Sequence, residues 1–167
     1  MRANIAGIVG SPQPTADTDT AEFRTVMDIN VTGIYLAMKY ELPLMLATGG
    51  GSIVNATSYV SVVAFPAVCS YVASKHAVAG LTKVAALEYA RQNIRVNSIG
   101  PGPIDAGMLK AFFATDPAAK QALANTIPLG RLGEVHEVAS AVLWLCSEAA
   151  SFITGTTLFV DGGVLIQ

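Results

Sequence analysis

Charged residues, cysteines and long apolar runs are all scarce in this 167-residue sequence. Charged residues make up 13% of it, against roughly 25% in an average soluble domain. The formal net charge of −2 argues against a nucleic-acid partner, because nucleic-acid binding usually leaves a basic patch. No uninterrupted apolar run approaches the ~20 residues of a membrane span. We therefore expect neither a nucleic-acid partner nor a membrane partner.

The two cysteines, Cys69 and Cys146, form neither a metal-ligand spacing nor a disulfide framework. We therefore predict no metal site and, by default, a reducing cytoplasm as the location. The first residues carry no recognisable signal peptide. The low charged fraction leaves two alternatives open. Partner subunits cover part of the surface, or the core is simply rich in alanine and valine.

Alternating strands and helices are predicted from hydrophobic periodicity and turn residues. Apolar residues at helical spacing predict a helix over about 20–47. Further helices are predicted over about 70–90, as a short pair between 107 and 126, and over about 135–146. Short apolar runs bounded by turn residues predict the strands: a strand end near 4–10, then 52–56, 94–99 and 158–160. Pro43 is expected to kink or end the first helix, and Trp144 is expected in the core. The alternation indicates an α/β domain with a parallel sheet.

A group of polar side chains has the chemistry of a proton-transfer site. Tyr71 and Lys75, at i and i+4, share one helix face. A free tyrosine has a pKa of about 10, and a nearby ammonium lowers it. Ser58 lies just past a buried strand, where parallel sheets place ligands, and its hydroxyl could orient an alcohol or carbonyl oxygen. Asn30, inside a helix, could hold a water in a relay from Lys75 to solvent.

Each of these residues also has an ordinary structural interpretation. Tyr-x-x-x-Lys alone is a weak motif, Ser58 could cap a turn, and Asn30 could be a satisfied structural amide. The ordered combination is stronger evidence. A serine ends one strand, Tyr71 and Lys75 open the next helix, and a proline-glycine turn follows the next strand.

This order resembles the short-chain dehydrogenase/reductase family along essentially the whole chain. The matching segments share the family's motif order: Asn4-Ile5-Ala6-Gly7, Asp28-Ile29-Asn30-Val31, Ile53 to Ser58, Tyr71 to Lys75, Arg95 to Gly102, Pro128 to Gly133 and Val160 to Gly163. The resemblance implies a Rossmann-like, doubly wound parallel sheet. It also implies an oxidoreductase that interconverts a secondary alcohol and a ketone with NAD or NADP.

The resemblance implies a role for each matched residue. Tyr71 would be the general acid/base, Lys75 would lower its pKa and bind the nicotinamide ribose, Ser58 would orient the substrate oxygen, and Asn30 would support the proton relay. The residues that it assigns to cofactor binding are Asn4, Ala6, Gly7, Tyr71, Lys75, Pro101, Gly102 and Ile104.

The sequence lacks the strand and Gly-x-x-x-Gly-x-Gly loop with which the family begins. That loop receives the pyrophosphate at a helix N-terminus. We therefore expect residues 1–167 to be a single partial domain, N-terminally truncated to strands 4 to 7 of the family fold with their helices. Dinucleotide binding by this chain alone is expected to be weak, and the strand near Asn4 is expected to have an unpaired edge.

Two functions remain open. The first is an NAD(P)-dependent dehydrogenase or reductase acting on a small alcohol or ketone. The alternative is a non-catalytic fragment that serves as an oligomerisation module or is a remnant. In either case the resemblance implies a homo-oligomer, dimer or tetramer, through the helices at about 20–47 and 70–90.

Overall fold

The structure, a computed structural model, describes residues 1–113 and 116–167. Its sheet has four parallel strands in the order β1 (Arg2–Asn4), β2 (Gly51–Ala56), β3 (Ile94–Pro101) and β4 (Thr157–Val160). Within the described residues, β1 pairs with β2 alone. The α/β prediction with a Rossmann-like parallel sheet is confirmed. Because all four strands run the same way, their carboxyl ends meet at one edge, where ligands bind in such sheets.

Six α-helices alternate with these strands in the described chain. In order they are α1 (Thr20–Met27), α2 (Gly33–Ala47), α3 (Cys69–Tyr89), α4 (Gly107–Phe112), α5 (Pro117–Asn125) and α6 (Val135–Cys146). The predicted helix over 20–47 is therefore two α-helices joined by a π-helical turn, Asp28–Thr32. The two short helices predicted between 107 and 126 are present, although residues 114 and 115 of that range lie outside the described residues.

Pro43 does not end the helix that contains it. Helix α2 continues past it to Ala47, so of the two effects predicted for Pro43, a kink or a helix end, the helix end is wrong. A proline removes one backbone N–H bond to the preceding turn. Pro43 is exposed, while Leu42 and Met45 on the other side of the helix are buried against the core. This packing holds the last turn in place without the missing bond.

The core has two halves, one on each face of the sheet, because successive strand residues point to opposite faces. Ile53 and Val96 pack against α2 and α3. Their sequence neighbours, including Val54, pack against α6 around Leu145. Helices therefore cover both faces, as the doubly wound prediction requires.

Trp144 is 41% exposed, so the prediction that it lies in the core is wrong. Helix α6 buries Leu145 completely, and Leu143 and Trp144 lie on its outer part. The continuous apolar run in α6 hid which side faces the sheet.

Replacing Leu145 with Ala is expected to lower the free energy of unfolding by about 2–5 kcal/mol, because it leaves a cavity under α6. Leu143→Ala, on the same helix but exposed, should change it by at most about 0.5 kcal/mol. Urea unfolding followed by Trp144 fluorescence measures both. Equal losses in the two variants would contradict the burial of Leu145.

Arg95, in β3, ties the strand to the end of α6. Its guanidinium donates to the carbonyl oxygens of Leu145 at 2.8 Å, Ser147 at 3.0 Å and Ile153 at 3.4 Å. A cation at the carboxyl end of a helix is favourable because the last carbonyls there lack helical partners.

Candidate active site

Ser58 lies between the ends of the two central strands. It follows β2, and its hydroxyl donates to the Pro101 carbonyl oxygen, at the end of β3, over 3.5 Å. The hydroxyl oxygen of Ser58 also accepts a hydrogen bond from the Val60 amide at 3.4 Å. The capping role that sequence analysis left open is therefore present, and it fixes the hydroxyl at the carboxyl edge of the sheet.

Tyr71 lies in the first turn of α3 and faces Ser58. Burial raises the pKa of Tyr71, a hydrogen bond with the Ser58 hydroxyl lowers it, and the neighbouring Tyr59 raises it. The net change in the Tyr71 pKa is upward, opposite to the direction expected from Lys75 alone, because burial outweighs the other effects. A neutral, half-buried phenol can donate its proton to an oxygen placed between it and Ser58.

Lys75 lies one helical turn after Tyr71 and is only 3% exposed. Its Nζ is 5.5 Å from the centre of the Tyr71 ring and donates to the Ala56 carbonyl oxygen at 3.0 Å. Burial lowers the pKa of Lys75 to about 8. The ammonium is thus held between the end of β2 and the tyrosine, in the position predicted from the i, i+4 spacing.

Asn30 connects the loop after β1 to the helix that carries Tyr71. Its amide Nδ2 donates to the Ile8 carbonyl oxygen at 2.8 Å and to Ser74 Oγ at 3.0 Å, and its Oδ1 accepts from the Ile8 amide at 2.8 Å. Both amide hydrogens are therefore used inside the protein. The predicted role of Asn30 in a proton relay stays a prediction, and it would have to use groups other than this amide nitrogen.

Ser74 is a site residue that sequence analysis missed. Its hydroxyl accepts from Asn30 and donates to the Tyr71 carbonyl oxygen at 2.7 Å. It thereby joins the π-helical turn around Asn30 to the first turn of α3. Its helical spacing from the buried Val78 and Thr82 is the signal that would have placed it on the inner face.

Asn4 takes part in a polar network away from the tyrosine. Its Nδ2 donates to Asn55 Oδ1 at 3.0 Å and to Glu41 Oε2 at 3.2 Å. Asn55 in turn donates to Thr82 at 3.0 Å. The amide hydrogens of Asn4 thus join β1 to β2 and α2, which leaves only other atoms of this residue for the predicted contact with a cofactor.

Gly7 lies against the two buried polar side chains of the site. A Cβ atom at this position would be 3.2 Å from Asn30 Oδ1 and 3.3 Å from Lys75 Nζ. Its neighbour Ala6 is exposed at the same end of β1. The loop after β1 therefore passes directly beside Lys75, as its assignment to the same site requires.

The turn after β3 approaches the carboxyl end of β4 closely. Gly102 donates to the Val160 carbonyl oxygen at 3.0 Å, and a Cβ at Gly102 would be 2.6 Å from Asp161 Cα. Ile104 then forms an isolated parallel bridge with Gly133. Of the three residues assigned to this turn from sequence, Pro101 contacts Ser58, while Gly102 and Ile104 fix the turn against the end of β4 and against Gly133.

The described residues contain no group of three or more histidine, cysteine or carboxylate side chains placed to hold a metal ion. In the same residues, helices of the length and apolar content needed to cross a bilayer are absent.

Comparison with known proteins gives consistent matches along the chain. A family model described as enoyl-(acyl carrier protein) reductase matches residues 2–165. The 2,5-dichloro-2,5-cyclohexadiene-1,4-diol dehydrogenase of Sphingobium indicum is 45% identical over 161 residues, which cover 96% of this chain and 64% of that protein. The cyclohexanol dehydrogenase of Acinetobacter sp. is 42% identical over 159 residues, covering 95% of this chain and 61% of that protein.

A solved structure of ElxO with NADP bound superposes on this chain with a TM-score of 0.93 at 34% identity. The match covers 99% of this chain and 68% of ElxO. The chain spans 61–64% of the length of the two curated relatives named above.

Proposed function

The chain belongs to the short-chain dehydrogenase/reductase family. We therefore propose that it acts as an oxidoreductase that interconverts a secondary alcohol and a ketone. The observation that carries the proposal is the convergence of Ser58, Tyr71 and the buried Lys75 at the carboxyl ends of β2 and β3. We also propose that residues 1–167 act as a single, partial domain of this family.

The side chains have distinct roles in the proposed reaction. Ser58 has one O–H, which would turn from the Pro101 carbonyl oxygen to the substrate oxygen and orient that oxygen toward Tyr71. Tyr71 gives its proton to that oxygen during ketone reduction and takes a proton from the alcohol during oxidation. The Lys75 ammonium stabilises the tyrosinate that forms, while Asn30 and Ser74 hold the first turn of α3 in position.

The residues present fit the nicotinamide end of NAD or NADP. Lys75 has three N–H donors, and within the described residues it uses one, on Ala56, so two can reach ribose hydroxyls beside Gly7. The absence of a Cβ at Gly7 keeps this space open. Pro101, Gly102 and Ile104 would hold the ring on the other side of Ser58. Bound NAD(P) would accept or supply the hydride at the substrate carbon.

We propose a cyclic alcohol or ketone as the substrate class. The two relatives compared above are named for cyclohexadiene-diol and cyclohexanol oxidation. In this chain, Val62, Val63 and Phe65 expose apolar side chains shortly after Ser58. Such side chains favour the apolar part of a ring over a charged substrate.

The test is an assay of the protein with cyclohexanol and with NAD⁺ and NADP⁺ separately, following reduced nicotinamide by its absorbance. Because dinucleotide binding by this chain is expected to be weak, each cofactor is raised to millimolar concentration. Cyclohexanol carrying deuterium on the carbinol carbon should transfer that deuterium to the nicotinamide, because the hydride comes from this carbon. Unlabelled reduced cofactor, or no oxidation while circular dichroism shows a folded protein, would refute the proposal.

Gly7→Ala is expected to lower kcat about tenfold or more without unfolding the protein. The added methyl group would press on Asn30 and Lys75, and displacements of about 1 Å in an active site can cost about 10²-fold. Gly80→Ala is the matched control, since a Cβ there meets nothing within 4 Å. Steady-state kinetics and thermal melts of both variants check the prediction; equal kcat values would contradict it.

A homo-oligomer through α2 and α3 is the second part of the proposal. Both helices expose large apolar side chains, which include Tyr40 and Leu44 on α2 and Val84 and Leu87 on α3. The two residues on each helix are three or four positions apart and therefore share one helix face. Exposed apolar patches often mark protein interfaces. The same surface would serve the non-catalytic alternative, in which the chain acts only as an oligomerisation module.

Leu87→Arg is expected to dissociate the oligomer, because an unpaired charge would be buried in the contact. Leu87 is 84% exposed in the single chain. Ile166→Arg makes a similar change at another exposed side chain, which is 88% exposed. This variant should leave the molecular mass of the oligomer unchanged. Light scattering after size exclusion measures both. Dissociation by Ile166→Arg alone would contradict this interface.

A further inference from the structure

The turn Tyr59–Ser61, which directly follows Ser58, carries a second phenol beside the site. It is a 3₁₀ turn in which the Val60 backbone N–H donates a hydrogen bond to the Ser58 hydroxyl oxygen. The turn packs against α3 and β3. Val60 and Ser61 are buried, whereas Tyr59 is half-buried. Tyr59 is therefore the residue of this turn whose side chain is partly exposed to solvent.

The Tyr59 hydroxyl is close to Tyr71 and has unused hydrogen-bonding capacity. Tyr59 directly follows Ser58, and its turn packs against α3, the helix that carries Tyr71. An electrostatic effect of Tyr59 that raises the pKa of Tyr71 agrees with this placement. Burial raises the pKa of Tyr59 itself, so it remains a neutral O–H group that can donate or accept. Within the described part of the chain, this hydroxyl has no hydrogen-bond partner.

The segment that leaves this turn is apolar and fixed at its far end. Val62, Val63 and Phe65 expose their side chains. The Ala67 carbonyl oxygen accepts a hydrogen bond from the Gln13 amide at 2.8 Å. The phenol of Tyr59 is thus a polar group at the start of an otherwise apolar surface, which suits recognition of a single oxygen on an apolar ring.

We propose that the Tyr59 hydroxyl binds a second oxygen of the substrate, a hydroxyl or carbonyl on the ring away from the reacting carbon. This inference rests on the proposed function and refines its substrate class. Cyclic diols and hydroxyketones are bound better than cyclic alcohols with one oxygen. A neutral phenol suits such neutral oxygens, because neither partner has to lose or bury a charge.

The test compares cyclohexanol with cyclohexane-1,4-diol, which share a ring and differ by one hydroxyl. Tyr59→Phe keeps the ring of the side chain and removes only its O–H. It should raise the KM for the diol about 3–10-fold, the effect of losing one neutral hydrogen bond. The KM for cyclohexanol and the kcat for both alcohols should stay at the wild-type values.

Ser61→Ala is the control within the same turn. The Ser61 hydroxyl also lacks a partner among the described side chains, but it is only 4% exposed, so this variant should keep the wild-type preference for the diol. Saturation-transfer NMR, which needs no turnover, should show weaker diol binding in Tyr59→Phe only.

The outcomes separate the two proposals. If the wild type oxidises neither alcohol, the proposed function fails. If it oxidises both and Tyr59→Phe changes the two KM values equally or not at all, the second-oxygen site is refuted while the function stands. Loss of diol preference in Ser61→Ala but not in Tyr59→Phe would also refute the assignment to Tyr59.

Discussion

Replacing Tyr71 with Phe is expected to lower kcat by about 10²–10⁴-fold, the usual contribution of a general acid or base. The change removes only the hydroxyl that faces Ser58 and keeps the ring beside Lys75. The free energy of unfolding should fall by only about 1 kcal/mol, for the lost hydrogen bond. Steady-state kinetics with cyclohexanol, together with urea unfolding, measures both effects.

Tyr89→Phe is the matched control for that experiment. Tyr89 is on the same helix, α3, but at its far end, where it packs against the core. Its loss of a hydroxyl should leave kcat unchanged. Near-normal turnover by Tyr71→Phe would exclude Tyr71 as the proton donor, whatever the other residues do.

Lys75→Met should abolish most activity and yet make the protein more stable at pH 7. Burial lowers the pKa of Lys75 from its ordinary 10.5 to about 8, so keeping it charged costs the folded state about 3 kcal/mol. The variant also loses the hydrogen bond from Lys75 to the Ala56 carbonyl oxygen, which lowers its stability by about 1 kcal/mol. The net expected gain is about 2 kcal/mol, while kcat should fall by at least about 10²-fold because the tyrosinate loses its counterion.

The stability gain of Lys75→Met should depend on pH with a definite sign. Below about pH 8 both the folded and the unfolded wild type carry the charge, so the cost of burying it is complete. Between about pH 8 and 10.5 the unfolded state binds more protons at this residue, so the wild type becomes more stable as the pH rises. Urea unfolding at pH 7 and near pH 10 should therefore show the advantage of the variant shrinking. A less stable variant at pH 7 would contradict the burial cost.

Sequence alone predicted the elements that have a clear hydrophobic pattern or turn residues at their ends. Helix α6 was predicted over about 135–146 and spans Val135–Cys146, since Gly133-Glu134 precedes it and its second half is a continuous apolar run. That same run could not reveal which side of the helix faces the sheet, which is why Trp144 was misplaced. The helix end considered at Pro43 does not occur, because tertiary packing, which holds α2 together past the proline, leaves no local signal in the sequence.

The site was predictable as a set of residues and less so as a network. Spacing and motif order brought Tyr71, Lys75 and Ser58 together before the structure was known. They gave no sign that burial would dominate the pKa of Tyr71, because desolvation depends on the surroundings in three dimensions. They also missed Ser74, whose contact with Asn30 crosses 44 positions of sequence. Their roles in catalysis remain predictions that the variants above address.

The three carbonyl contacts of Arg95 have a consequence for how the molecule opens. They join β3, the strand that ends at Pro101 beside Ser58, to the end of α6 and the segment before β4. Separating α6 from the sheet would leave a partly buried guanidinium without acceptors. We therefore expect amide hydrogens in α6 and β3 to exchange with solvent in a single cooperative opening. Loosening α6 would then also loosen the strand end beside Ser58 at the candidate site.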